Sequence, residues 1–194
     1  MFNDKYGLTQ AVLEGRKTMT RRLVPKSALW SYPTDTDLRV DMRKAPYKVG
    51  EVVAIAQSYK DVYNSGYPVD SRYDPFRTAY SVGVLENKKG WNNKMFVRAD
   101  IMPRRIKITN IKVERLQDIS DEDILREGVL QSADGYDFYT FDGWGKRAKG
   151  EELPTQIYTK NRREAFAALI NKVSGKGTWD SNPWVFAYEF ELIN

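Results

Sequence analysis

One stretch constrains the fold of this chain more than any other. It runs Leu8-Thr9-Gln10-Ala11-Val12-Leu13-Glu14-Gly15-Arg16-Lys17-Thr18-Met19-Thr20-Arg21-Arg22-Leu23. Leu8, Ala11 and Val12 recur at helical spacing and give a short helix one apolar face. Gly15 stands where a helix ends in the left-handed conformation, which a residue without Cβ adopts cheaply. From Thr18 to Val24, β-branched and alternating residues predict a strand. Lys17 and Thr20 therefore lie where a helix hands over to a sheet, a place held on both sides and open at its tip.

The remaining chain adds strands without a βαβ rhythm. Pro25 to Pro46 is turn-rich (Ser31-Tyr32-Pro33-Thr34-Asp35) and reads as a surface loop. Val52-Val53-Ala54-Ile55-Ala56 follows a glycine turn in Tyr47-Lys48-Val49-Gly50-Glu51 and suits a strand buried on both faces. Gln57 to Lys94 is irregular, with Tyr59, Tyr63, Tyr67, Tyr73 and Tyr80 among Gly, Pro, Asn and Asp. It is too long for a passive connection and reads as a segment packed over a barrel or covering a site. Phe96 to Met102 predicts a strand ended by Pro103. Arg105 to Ile108 alternates, and Ile111 and Val113 continue out of phase, so a bulge is expected near Thr109-Asn110.

Ser120 followed by Asp123 is a capping pattern that opens a helix, and Gly128 stops it. Glu127 is left at the helix C-terminus, where the dipole is expected to raise its proton affinity. Leu130 to Lys160 is dense in aromatics (Tyr136, Phe138, Tyr139, Phe141, Trp144), with Lys146, Arg147 and Lys149 close behind. It reads either as a base-stacking surface or as a loop folding its rings back onto the body. Asn161 to Val173 is a helix with Phe166, Leu169, Ile170 and Val173 on one face. The closing strand sets Trp184, Phe186, Tyr188, Phe190 and Leu192 against Val185, Ala187, Glu189 and Glu191. The expected class is α+β: a small mixed β-barrel with flanking helices and long loop insertions.

Composition narrows the chemistry. At 194 residues the chain suits a single domain, 1–194, with insertions at about 27–46, 57–94 and 130–160. It has no run of about 18 apolar residues to span a membrane, and Met1 to Tyr6 lacks a signal-peptide core. Zero cysteines fit a cytoplasmic setting. Zero histidines remove the usual general base, the Ser-His-Asp triad and most zinc sites. Without a clustered carboxylate motif, no metal or other cofactor is expected. A net charge of +5 leans toward a polyanionic partner and is equally that of an ordinary basic soluble protein.

Gly15-Arg16-Lys17-Thr18-Met19-Thr20-Arg21-Arg22 resembles the signature of the ASCH domain, a PUA-like β-barrel family. Tyr47 to Val53 resembles that family's turn into its second strand, and Leu116 to Val129 its acidic helix. Asn182 to Phe190 resembles the closing strand of its longer bacterial and phage members. The resemblance implies a barrel with a cleft related to RNA-modification readers. Small bacterial members deacetylate N4-acetylcytidine with a lysine, a threonine and a glutamate, which match Lys17, Thr20 and Glu127; Arg22 matches an arginine beyond the threonine. The three insertions set this chain apart from those enzymes.

On that basis Thr20 is the expected nucleophile, Lys17 its base, and Glu127 a proton shuttle or orienter. Arg16, Arg21 and Arg22 crowd Lys17 and disfavour its protonated form. In a regular strand Lys17 and Thr20 would face opposite sides, so Lys17 must lie in the turn or a bulge must separate them. Arg21 and Arg22 alternate, and Arg22 shares Thr20's face. Arg16, Arg21, Arg22, Arg105, Trp144 and Trp184 are the expected substrate- or nucleic-acid-binding residues. Three readings follow: an amidohydrolase acting on a modified nucleoside or base, a non-catalytic RNA- or nucleotide-binding module, or an RNA-cleaving protein.

Overall fold

The structure is a computed structural model that describes residues 2–31, 38–66, 74–81, 83–133, 135, 138–146 and 152–193, with side chains at all of these except 139–146 and 152–155. Tyr32 to Asp35, Tyr67, Tyr73, Tyr136, Arg147 and Lys149 lie outside the described residues, as does the side chain of Trp144.

The opening stretch folds as read. Helix α1 (Leu8–Leu13) ends at Gly15, whose φ is +73°, and strand β1 (Met19–Leu23) follows. Where a plain loop is expected, β2 (Leu29–Trp30) and β3 (Arg39–Val40) pair as a short antiparallel ladder. Strand β4 (Val52–Ala54) is not buried on both faces, and Val52 is 46% exposed. The reason is its place at the end of its sheet, paired only to β5.

The stretch expected to be irregular contains helices α2 (Tyr59–Asn64) and α3 (Pro75–Ser81). Ser58 caps α2, its hydroxyl accepting from the Asp61 N–H at 3.1 Å. Phe96 to Met102 forms short 3-10 turns, not a strand, and β5 (Arg105–Arg115) begins only after Pro103. Asn110 accepts from the Ile111 N–H at 2.9 Å, and Thr109 and Asn110 are exposed in succession where the alternation changes phase.

Helix α4 (Asp121–Arg126) starts at Ser120, which accepts from the Asp123 N–H at 3.1 Å. Instead of a loop, the next region forms β6 (Leu130–Gln131), β7 (Phe138–Lys146) and β8 (Glu152–Thr159), with a register shift between Phe141 and Gly143. Its aromatic and β-branched content suits a paired strand as well as a covering loop. Helix α5 (Arg162–Ser174) buries Phe166, Leu169 and Ile170, and β9 (Trp184–Ile193) closes the fold.

The sheets are ordered β1-β9-β5-β4, β2-β3 and β6-β7-β8. The first curls as a half-barrel, and the fold is α+β. Strand β9 is internal to its sheet, paired along both edges, and Val185, Phe186, Ala187 and Tyr188 are each at most 1% exposed, so packing covers both its faces. Full burial of side chains such as Val185 and Phe186 stabilises by roughly 1.5–3 kcal/mol each.

The chain divides into two compact units. The smaller comprises residues 52–107 with the chain ends, the larger 3–51 and 108–191. The smaller has its own core of Tyr59, Val62, Phe76, Leu85, Ile101 and Met102. Among the described residues no helix is long and apolar enough to cross a membrane.

Candidate active site: a buried lysine–glutamate pair

Lys17 is placed by the turn after α1. Its N–H donates to the Ala11 carbonyl at 2.9 Å. The neighbouring Thr18 N–H donates to the Arg126 carbonyl at 3.0 Å, which ties the turn to the end of α4. Glu127 caps α4, its N–H reaching the Asp123 carbonyl at 2.9 Å, and Gly128 leaves the helix at a φ of +105°. These two chain reversals bring Lys17 and Glu127 together from 110 residues apart.

The Lys17 Nζ donates to Glu127 Oε2 at 2.6 Å and to the Glu127 carbonyl at 2.7 Å. Lys17 is 2% exposed and Glu127 5%. The other carboxylate oxygen, Oε1, accepts from Arg21 at 3.0 Å. Arg21 also donates to Glu114 at 2.8 Å and to Asp123 at 3.0 Å. Lys112 adds contacts of 2.9 Å to Asp123 and 3.2 Å to Glu114. Arg126 joins Asp123 at 3.3 Å and Glu189 at 2.9 Å. Among the described residues these contacts join Lys17, Arg21, Lys112 and Arg126 to Glu127, Glu114, Asp123 and Glu189. Desolvating several charges together is tolerable only with such pairing.

Burial pushes the Lys17 ammonium down. The Glu127 carboxylate opposes this, and the charges of Arg22 and Arg21 push further down, leaving the group below the usual lysine range. For Glu127 burial works upward, but Lys17 and Arg21 outweigh it and hold the carboxyl below its ordinary range. The expectation of a raised proton affinity at Glu127 is therefore corrected. The two adjacent cations outweigh both burial and the partial charge at the end of a short helix. Asp123 behaves alike: burial raises it, and Lys112 and Arg21 bring it below its ordinary range.

Thr20 lies on the opposite side of β1 from Arg21. It stands across from Tyr188 on β9, while Arg22 stands across from Phe186, so Thr20, Arg22 and Tyr188 share a face. Lys17 precedes the regular strand, so the alternation of β1 does not assign it to either face. Tyr188 is fully buried, with its hydroxyl beside the Tyr47 backbone. Burial pushes that hydroxyl up. Tyr47 meets the Tyr188 ring edge-on with centroids 5.5 Å apart.

The other expected binding residues are scattered. Arg16 is exposed and donates to Glu14 at 2.7 Å. Arg105 lies in the smaller unit and donates to the Asp100 carbonyl at 3.2 Å. Trp184 carries the Arg115 guanidinium 4.5 Å over its ring, and its buried Nε1 is unpartnered. The sequence reading missed Glu114, Lys112 and the ion-pairing role of Asp123. Asp123 was legible only as a capping acid, and the alternation of β5 marks Lys112 and Glu114 as strand residues without naming partners.

Among the described residues no group of three or more acidic side chains is arranged to hold a metal ion. No family model matches the chain, and no curated protein and no solved structure matches it.

Proposed function

We propose that this chain is a nucleoside- or RNA-directed protein of the ASCH type, built on a PUA-like barrel, whose Lys17, Thr20 and Glu127 hydrolyse an amide on a modified nucleoside such as N4-acetylcytidine. The observation that carries the reading is the buried Lys17–Glu127 pair, in which Arg21 occupies the second carboxylate oxygen. Arg21 is a second cation on Glu127 and joins Lys17 in holding its carboxyl below the ordinary range. Lys17, pressed by burial and by Arg22, gives its proton up more easily than an ordinary lysine.

The strand turns Thr20 away from Arg21 and Glu127, so the reaction needs substrate binding to bring its hydroxyl within reach of Lys17; it then attacks the acyl carbon and its proton passes to the neutral Lys17 amine. The C–N bond breaks, and the departing amine takes the proton from Lys17. Water then cleaves the threonine ester, releasing acetate and restoring the hydroxyl. Arg22, on Thr20's face, is the group to hold the substrate's polar atoms.

The test is incubation with N4-acetylcytidine, with cytidine read by chromatography. Turnover abolished in Lys17→Ala, Thr20→Ala and Glu127→Ala variants that remain folded supports the proposal. No turnover by the native chain sinks it. A second reading, a binding module without chemistry, is favoured by the two oxygen atoms that already occupy the Lys17 ammonium. Salt-sensitive RNA binding without turnover, little changed by Thr20→Ala, is its signature. RNA fragments that depend on Lys17 would instead indicate a nuclease.

A further inference from the structure

The chain's charge is not spread evenly. Residues 52–107 hold ten lysines and arginines against five acids, and so carry the whole +5; the other residues balance at 21 of each. The excess therefore coincides with the smaller unit. The same unit holds a cluster of three aromatic rings, in which Tyr63 and Trp91 meet at 6.3 Å with planes 40° apart. Tyr63 and Tyr80 lie 4.6 Å apart between centroids with planes 28° apart, and Trp91 lies 6.2 Å from Tyr80 at 13°. Tyr80 and Trp91 rest on the unit's core, while Tyr63 is 51% exposed.

Each ring follows an exposed cation by three residues: Lys60 and Tyr63 on α2, Arg77 and Tyr80 on α3, Lys88 and Trp91 on a 3-10 turn. At that spacing two side chains lie on one face of a helical turn. The Trp91 N–H donates to the Lys88 carbonyl at 2.9 Å and closes the last of these turns. Gly90 lets that turn press against the core, since a Cβ there would stand 2.6 Å from the Tyr59 ring. Glu86 also acts on the Tyr80 hydroxyl, which is pushed up to about 12 chiefly by its hydrogen bond with Tyr63.

We propose that the smaller unit is a binding surface for single-stranded nucleic acid, with a base stacking on the exposed Tyr63 ring, which Tyr80 and Trp91 back, and Lys60, Arg77 and Lys88 holding phosphates. An exposed ring in a unit that carries the chain's excess of cations fits a ligand that combines flat apolar bases with anions. Duplex nucleic acid keeps its bases stacked on one another and offers the rings nothing. An acidic peptide satisfies the cations but leaves the exposed ring uncovered. Glu86 adds an acceptor for base N–H groups at a place unsuited to a phosphate. The surface belongs to a different unit from Lys17, Thr20 and Glu127 and does not depend on chemistry there.

The test is fluorescence anisotropy of the full chain with a labelled single-stranded RNA 12-mer of mixed sequence, across a salt series, with the same sequence as duplex in parallel. Tyr63→Ala should weaken single-strand binding roughly tenfold or more. Tyr63→Phe, which keeps the ring and loses the hydroxyl, should restore most of it. The Lys60→Gln/Lys88→Gln pair should flatten the slope of log affinity against log salt by about 1.4. Both lysines are exposed, so this pair carries the test even if Tyr63→Ala disturbs folding. Duplex bound as tightly as single strand, or single-strand binding unmoved by both the Tyr63→Ala and double-lysine variants, overturns the proposal.

Discussion

Replacing Glu127 by Gln removes one charge from the buried network and almost no volume. The wild-type carboxylate holds Lys17 at 2.6 Å and Arg21 at 3.0 Å, so the amide leaves two cations facing a neutral group. Removing one partner of a buried ion pair costs about 3–5 kcal/mol, most of it the desolvation of the charge left behind. For a domain of this size that lowers Tm by roughly 6–20 °C. Denaturant unfolding followed by fluorescence of the five tryptophans reads the loss directly.

The pH dependence of this variant distinguishes a lost ion pair from a mere packing defect. Lys17 titrates below its ordinary 10.5 in the folded chain, and losing its carboxylate lowers it further. Between the folded and unfolded values the unfolded chain binds more protons, so stability rises with pH. Glu127→Gln should therefore regain stability toward alkaline pH as Lys17 sheds its proton, and Lys17→Met/Glu127→Leu should recover much of the loss at neutral pH. A loss under about 1 kcal/mol that stays flat with pH would refute the reasoning, since it would mean that the pair is solvated.

Other perturbations address the elements that place the pair. Glu127 and Asp123 both titrate below their ordinary 4.5 and 3.8, so their stabilisation is complete above those values and drains away as pH falls through the lower folded ones. An acid titration of unfolding free energy should be steeper for the native chain than for Asp123→Asn. Gly128→Ala puts a side chain at a φ of +105° and a Cβ 3.2 Å from Leu8 Cδ2, so a loss of about 1–3 kcal/mol is expected by denaturant unfolding. Ser120→Ala removes the cap of α4 and should cost about 1 kcal/mol, whereas Ser120→Asp should be nearly neutral.

Local features were legible because neighbours in sequence determine them. Leu8, Ala11, Val12 and Gly15 announce a helix and its stop; Ser120 with Asp123 announces the next; the alternation from Trp184 to Leu192 announces the last strand. The errors have one physical source. A tyrosine- and glycine-rich segment reads alike as a loop, as helices with their own core, or as a sheet. The choice rests on what it packs against, as Gln57 to Lys94 and Leu130 to Lys160 both demonstrate. Val52 reads as buried for the same reason: only the strand order puts it at an edge.

The sequence by itself determined that Lys17 falls where a helix hands over to a strand, that Arg21 and Arg22 part company across that strand, and that no histidine takes part in any chemistry. Tertiary structure alone decided that Glu127 and Lys17 meet, that Arg21 joins them along with Glu114 and Asp123, and that Glu127 is held ionised rather than protonated. Charge signs and helix ends are properties of a few consecutive residues. Burial and pairing depend on groups more than 90 positions away, and the field at a carboxylate follows the nearest cations in space, whatever their place in the chain.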